Sequence, residues 1–244
     1  MNKLYLLIIS SLPVLFSCTS QNKGSTVKEI PILNDTVDTR VEVYDSTGQV
    51  RNIFHQKKGL KHGPETQFYS NNIEKQKGSW FEGHKIGWFE YYEENEKLQV
   101  KRQYVQPNGN FTGQEQVSHL NQVIRFNRQG DTVKSGSFYY TLFTTGDTIK
   151  NGSRYAFKLV LSAPMFKNAW LVLCSFDETE TPGAICDTFL MENFQIAKSP
   201  REYRLGQNII EGLILNFESF KDSTGQTRQR TARIYFVDRF FVVD

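Results

Sequence analysis

Between residues 41 and 134 the chain repeats itself every 24 residues, and that period limits its fold more than anything else in it. Gly59-Leu60-Lys61-His62-Gly63 leads to Phe68-Tyr69, and Gly83-His84-Lys85-Ile86-Gly87 leads to Tyr91-Tyr92. Tyr44, Phe68 and Tyr92 continue the spacing. Glycine tolerates positive φ, so Gly59, Gly63, Gly83 and Gly87 suit tight turns or bulges between short strands. The aromatic residues after them alternate as side chains on a sheet do. Gly109-Asn110-Phe111-Thr112-Gly113 keeps the glycine spacing without the aromatic pair, and Arg125–Gly130 echoes the strand-to-turn step at Tyr44–Gly48. Two full units with degenerate flanks are near the minimum for a stacked meander, so the array is expected to lean on its neighbour.

The run Lys77-Gly78-Ser79-Trp80-Phe81-Glu82-Gly83-His84-Lys85-Ile86-Gly87-Trp88-Phe89-Glu90-Tyr91-Tyr92 resembles the MORN repeat, in the variant found in bacterial antitoxin-like repeat proteins. The resemblance implies a β-hairpin meander and brings no catalytic residues with it.

From residue 135 the period gives way to longer alternating segments at 136–143, 154–163, 170–176, 185–191, 209–220 and 230–243, separated by turn residues. Aromatic content of 14%, with 19 Phe and 11 Tyr, favours strands throughout. The expected architecture is therefore all-β: a short MORN-like meander at 41–134 followed by a β-sandwich at 135–244.

The start of the chain has an address. Lys3 precedes an apolar run too short to span a bilayer, and Leu15-Phe16-Ser17-Cys18 resembles the lipobox of bacterial lipoproteins. The resemblance implies that residues 1–17 are an export signal and that Cys18 carries the acyl chains. Several acyl chains on one residue hold a protein stably at a membrane. Residues 18–40 then read as the lipidated cysteine and a polar tether. With no Asp after Cys18 and no acidic run following it, the expected site is the periplasmic face of the outer membrane.

A net charge of +3 without a basic stripe argues against nucleic acid as a partner. Cys174 and Cys186 are candidates for a disulfide in an oxidising compartment. Neither a metal nor a cofactor is expected: His55, His62, His84 and His119 lie at no metal-ligand spacing, and no nucleophile elbow or phosphate loop occurs. Asp35-Thr36-Val37, Asp45-Ser46-Thr47, Asp131-Thr132-Val133, Asp147-Thr148-Ile149 and Asp222-Ser223-Thr224 resemble the O-glycosylation signal of Bacteroidetes exported proteins, with Thr36, Ser46, Thr132, Thr148 and Ser223 as acceptors. Local turn chemistry explains the same triplets equally well. The functional expectation is a non-enzymatic envelope lipoprotein that binds a protein partner. A glycan binder using Trp80, Trp88 and Tyr92 is one alternative, and a hydrolase assembled from distant residues is another.

Overall fold

The computed structural model describes residues 25–32, 35–106, 118–174, 186–199 and 203–244. The described residues form strands and no helix, in two units. The first unit is one antiparallel sheet whose strands lie side by side in chain order: β1 (Thr26–Ile32), β2 (Asp35–Tyr44), β3 (Val50–Lys57), β4 (Leu60–Phe68), β5 (Glu74–Phe81), β6 (His84–Tyr92), β7 (Leu98–Val105), β8 (His119–Phe126) and β9 (Thr132–Phe138).

Two kinds of turn alternate along this sheet. On one edge Lys58-Gly59 (φ 50° and 79°) and Glu82-Gly83 (φ 48° and 83°) make two-residue turns. Positive φ at both central residues gives the primed turn, whose twist matches that of the strands. On the other edge, five-residue turns begin at Asp45, Tyr69, Glu93 and Asn127. In each, the first N–H donates to the fifth carbonyl and the fourth N–H to the first carbonyl. The first three of these turns start 24 residues apart.

Gly63 and Gly87 lie inside strands β4 and β6, at φ 87° and 66°. There three residues of one strand oppose a single residue of the next: 62–64 face His55, and 87–89 face Gly78. A bulge with more than one extra residue re-aims the side chains beside it. Gly136 (φ 71°) sits in a third irregular step, between β8 and β9.

The tether expected over 18–40 is shorter than its composition implied. Residues 26–32 and 35–44 pair as an outer hairpin, from Thr26 opposite Tyr44 to Ile30 opposite Arg40. Ladder hydrogen bonds come from the backbone, so a polar segment can join a sheet at its edge without a hydrophobic face.

The second unit contains β10 (Tyr140–Thr144), β11 (Thr148–Lys150), β12 (Phe157–Leu161), β13 (Asn168–Cys174), β14 (Cys186–Leu190), β15 (Gln195–Lys198), β16 (Gly206–Lys221) and β17 (Thr227–Val243). A three-stranded sheet in the order β10-β12-β15 packs on a five-stranded sheet in the order β11-β17-β16-β13-β14. Alternate residues of both point inward: Phe157, Leu159 and Leu161 from the smaller sheet meet Leu171, Ile214, Ile234, Phe236 and Phe240 from the larger. Gly212 makes room for this core, because a Cβ there would lie 2.1 Å from the Phe236 ring. The buried Asn216 amide accepts the N–H groups of Met165 and Phe166 and donates to the carbonyls of Phe166 and Asn168, stapling the approach to β13.

The segment expected to form one sandwich strand at 136–143 is divided between the units. Phe138 pairs with Val123 in the meander and Tyr140 with Leu161 in the sandwich, so the units meet at Tyr139 rather than after residue 134. The carbonyl of Tyr139 accepts the N–H of Ser162, and the Gln122 side chain accepts the N–H of Tyr140. Close by, Asn121 is 2% exposed and bonds both backbone groups of Tyr235 on β17. Its Nδ2 donates to the carbonyl at 2.8 Å, and its Oδ1 accepts the N–H at 2.7 Å. One amide side chain thus acts as a single strand residue along the open edge of β17.

Candidate functional site

Residues two apart on a strand share a face, which gives the meander two distinct surfaces. On the first, rings and cations interleave across neighbouring strands. The Lys61 ammonium lies 4.8 Å from the Phe54 ring centroid and 4.6 Å from that of Trp80. Lys85 stands over Trp80, Phe89 and Tyr104 at 5.6, 4.5 and 5.2 Å. Arg102 covers Tyr91 at 4.8 Å. Trp80 and Tyr104 each meet Phe89 edge-to-face. Phe89 can lie flat against β5 because Gly78 is beneath it; a Cβ at residue 78 would be 2.5 Å from the ring. Cation–ring contacts of this kind are worth roughly 0.5–1 kcal/mol at exposed sites and more when water is excluded.

At the centre of this face is a buried carboxylate. Val41, Glu65 and Phe89 occupy the same position of the 24-residue period, and all three are buried, at 2%, 1% and 0% exposure. Only the middle unit places a charge there. Glu65 Oε1 accepts from Lys61 Nζ at 2.5 Å, Asn52 Nδ2 at 3.1 Å and Gln67 Nε2 at 3.3 Å, and Oε2 accepts from Trp80 Nε1 at 2.7 Å. Burial pushes the Glu65 carboxyl up, but the donations from Lys61, Trp80, Asn52 and Gln67 together outweigh it and hold the group below the usual carboxylate range. The result is an ionised, fully bonded carboxylate that fixes the Trp80 indole and the Lys61 ammonium in place. Lys85 has no carboxylate partner among the described residues, so the face carries a net positive charge.

The second face carries Glu90, which Lys101 meets at 2.7 Å, Lys77 at 3.6 Å and the Tyr92 hydroxyl at 2.5 Å. Burial pushes Glu90 up, and Lys101 and Tyr92 bring it below its usual value. Here both lysines have carboxylate partners, Lys77 in Glu74 and Glu90 and Lys101 in Glu90.

Of the three residues considered for glycan contact, Trp80 lies on the first face, half-buried and bonded to Glu65. By strand alternation Trp88 and Tyr92 point to the second, where Tyr92 is covered by Lys77. The three do not make one site. Cys174 stands opposite Cys186 in the register of β13 and β14. Thr132 and Thr148 open strands, Thr36 lies within β2, and Ser46 and Ser223 sit at exposed turn tips. Cys18 lies outside the described residues, as do Gly109 and Gly113. His62 lies against Phe81 and His119 against Tyr235. No three His, Cys, Asp or Glu side chains gather at metal-binding distance among the described residues. An open groove of about 680 Å³ runs between the five-residue turns, floored by Leu98 and Phe126 and rimmed by Lys97 and Arg128.

Sequence reasoning located Trp80 and the glycines but missed Glu65, Lys61 and Lys85 as parts of one face. The available signal was the exchange of Val41 and Phe89 for a carboxylate at the shared position. Compared with protein-family models, with curated proteins and with solved structures, the chain matches none.

Proposed function

We propose that this chain is a non-catalytic envelope lipoprotein, held by Cys18 at the periplasmic face of the outer membrane and serving as a docking platform for a protein partner. The observation that carries this reading is the first face of the MORN-like meander. It is a wide sheet surface on which Lys61, Trp80, Lys85, Tyr91 and Arg102 are already ordered by Glu65 and by ring contacts. Side chains fixed before binding lose less entropy on association, and Trp, Tyr and Arg are the residues that most often anchor interfaces. A positive, aromatic surface suits a partner with acidic and aromatic side chains.

The reading is tested by site-specific photo-crosslinking in intact cells. A photoreactive residue at Tyr91 should trap a discrete species, and Lys85→Glu with Arg102→Glu should abolish that adduct while the fold is retained. A photoreactive residue on the second face, at Lys101, is the control. Equal trapping from both faces would remove the reading. Glycan binding is the second reading, favoured by the 36% exposure of Trp88. It requires Trp88→Ala to abolish retention on immobilised envelope polysaccharide.

A further inference from the structure

The outward side of the five-stranded sheet is apolar, where a sandwich normally turns polar residues to water. Leu171, Ile214 and Ile234 point into the core, and the pairing of β13, β16 and β17 runs without an irregular step. The residues that alternate with them therefore point away from the core. Trp170, Leu190, Ile209, Val237, Phe241 and Val243 all fall on that side and are exposed, Trp170 at 42% and Leu190 at 61%. Val172, Leu213 and Leu215 join them across the ladder: Leu190, Trp170 and Leu215 form one row, Val172 and Leu213 the next but one residue along. The meander reaches this side at Tyr235, whose ring lies 6.5 Å from that of His119, and the exposures stand with that contact in place.

The charges on this face are mostly of one sign. By the same register Lys150, Arg233 and Arg239 stand on it, all exposed, and Glu211 is the one carboxylate that the five described strands place there. Charge and composition together select the occupant. A second copy would set a cationic patch against an identical cationic patch. A protein partner is anchored by Trp, Tyr and Arg far more than by Leu and Val, and the first face of the meander has that make-up. Here aliphatic side chains outnumber aromatic ones, on a surface roughly 20 Å across its five strands. A bilayer asks for no complementary shape. Its hydrocarbon boundary takes up aliphatic side chains, tryptophan settles at the headgroups, and anionic lipid attracts arginine and lysine.

We propose that the outward face of the five-stranded sheet lies on an anionic bilayer surface, as a membrane contact separate from the amino-terminal anchor. Trp170, Leu190, Ile209 and Val237 enter the interfacial layer, and Lys150, Arg233 and Arg239 meet lipid phosphates. The inference rests on the envelope reading for a membrane within reach. It does not rest on acylation of Cys18, because an uncleaved apolar segment over residues 4–16 would also hold the chain on a bilayer.

The test is quenching of tryptophan emission by lipids brominated in their acyl chains. The whole protein, isolated from its own host, is reconstituted into vesicles of phosphatidylethanolamine and phosphatidylglycerol, with and without the brominated lipid. The chain has three tryptophans, of which Trp80 and Trp88 lie on the meander, so Trp170→Phe identifies the source. Part of the native emission should be quenched, and that part should be missing from Trp170→Phe. Arg233→Glu with Arg239→Glu should diminish it, as should phosphatidylcholine in place of the anionic mixture. Ile209→Asp with Val237→Asp, both at exposed positions, should abolish it while circular dichroism stays that of the native chain. Emission untouched by brominated lipid, or quenched equally in Trp170→Phe, would overturn the proposal. Quenching indifferent to the arginines and to lipid charge, or surviving the two aspartates, would overturn it too. Sedimentation of the native protein as a dimer that the two aspartates split would assign the face to a second copy and overturn it as well. The Cys18 peptide, measured by mass spectrometry on the same preparation, reports separately: without acyl chains the lipoprotein reading falls, while Trp170 still decides this one.

Discussion

Glu65 occupies a position that its sister units fill with Val41 and Phe89, and its removal should be felt at once. Glu65→Ala leaves the Lys61 ammonium without its counter-ion and the Trp80 N–H without its acceptor. Lys61 keeps 30% of its side chain in water, so the cost is mainly that of the donors left unpaired, about 1–3 kcal/mol, and urea unfolding at pH 7 should show a loss of that order. The acid limb gives an independent reading. The unfolded carboxyl titrates near pH 4.3 and the folded one lower, so its contribution is complete above that range and is lost as pH falls through the folded value. Unfolding measured from pH 6 to pH 3 should therefore be steeper for the native chain than for Glu65→Gln. At Gly212 the limit is space: an added Cβ would meet the Phe236 ring at 2.1 Å and the Val172 carbonyl at 2.9 Å. Overpacking of a filled core costs about 1–3 kcal/mol, so Gly212→Ala should lower the Tm, while Gly152→Ala, which has open space at positive φ, should cost less.

The strands beyond the period were legible where they are long and alternate, and illegible where they are short. β16 and β17 are visible in their residues; β11, of three residues, and β15, of four, lack enough positions to show a pattern. The period at Gly59, Gly63, Gly83 and Gly87 could be read directly, though the two members of each pair do different work, one in a turn and the other in a bulge. Gly136 lies in an irregular step off the period, on a strand that follows a five-residue turn rather than a two-residue one. The polar outer hairpin went unread for another reason: backbone pairing leaves no mark in composition. At this scale the paired cysteines also yield a prediction. Directly opposed residues of an antiparallel pair have Cα atoms roughly 4.5–5.5 Å apart, within the range a disulfide spans. Thiol labelling of the denatured, unreduced protein, isolated from its own host under conditions that block thiol exchange, should therefore leave Cys174 and Cys186 unlabelled. Closing a loop of that size is worth about 3 kcal/mol by the chain-entropy model, and reduction should lower the stability of the sandwich accordingly. Labelling of both residues would exclude the bridge.

The two units should melt together. Asn121 bonds both backbone groups of Tyr235 and also Gln103, while Gln122 holds the N–H of Tyr140. Asn121→Ala would remove both of its hydrogen bonds to the Tyr235 backbone, at about 0.5–1.5 kcal/mol each. Calorimetry of the native chain should give one transition, and that of the variant a lower or divided one; two transitions in the native chain would mean that the units are independent. The neighbour-to-neighbour strand order has a kinetic consequence as well. Each strand of the meander pairs with the one just before it, so every step closes only a short loop, and such local topologies assemble quickly. The larger sheet of the sandwich has no such route, since β11 must wait for β17, far along the chain, to run beside it. In a chain delivered amino end first, the repeat sheet would zip up hairpin by hairpin while the sandwich stayed open. Phe240 and Val242 of β17, which follow every other strand of the second core in the chain, would close it in a single late step.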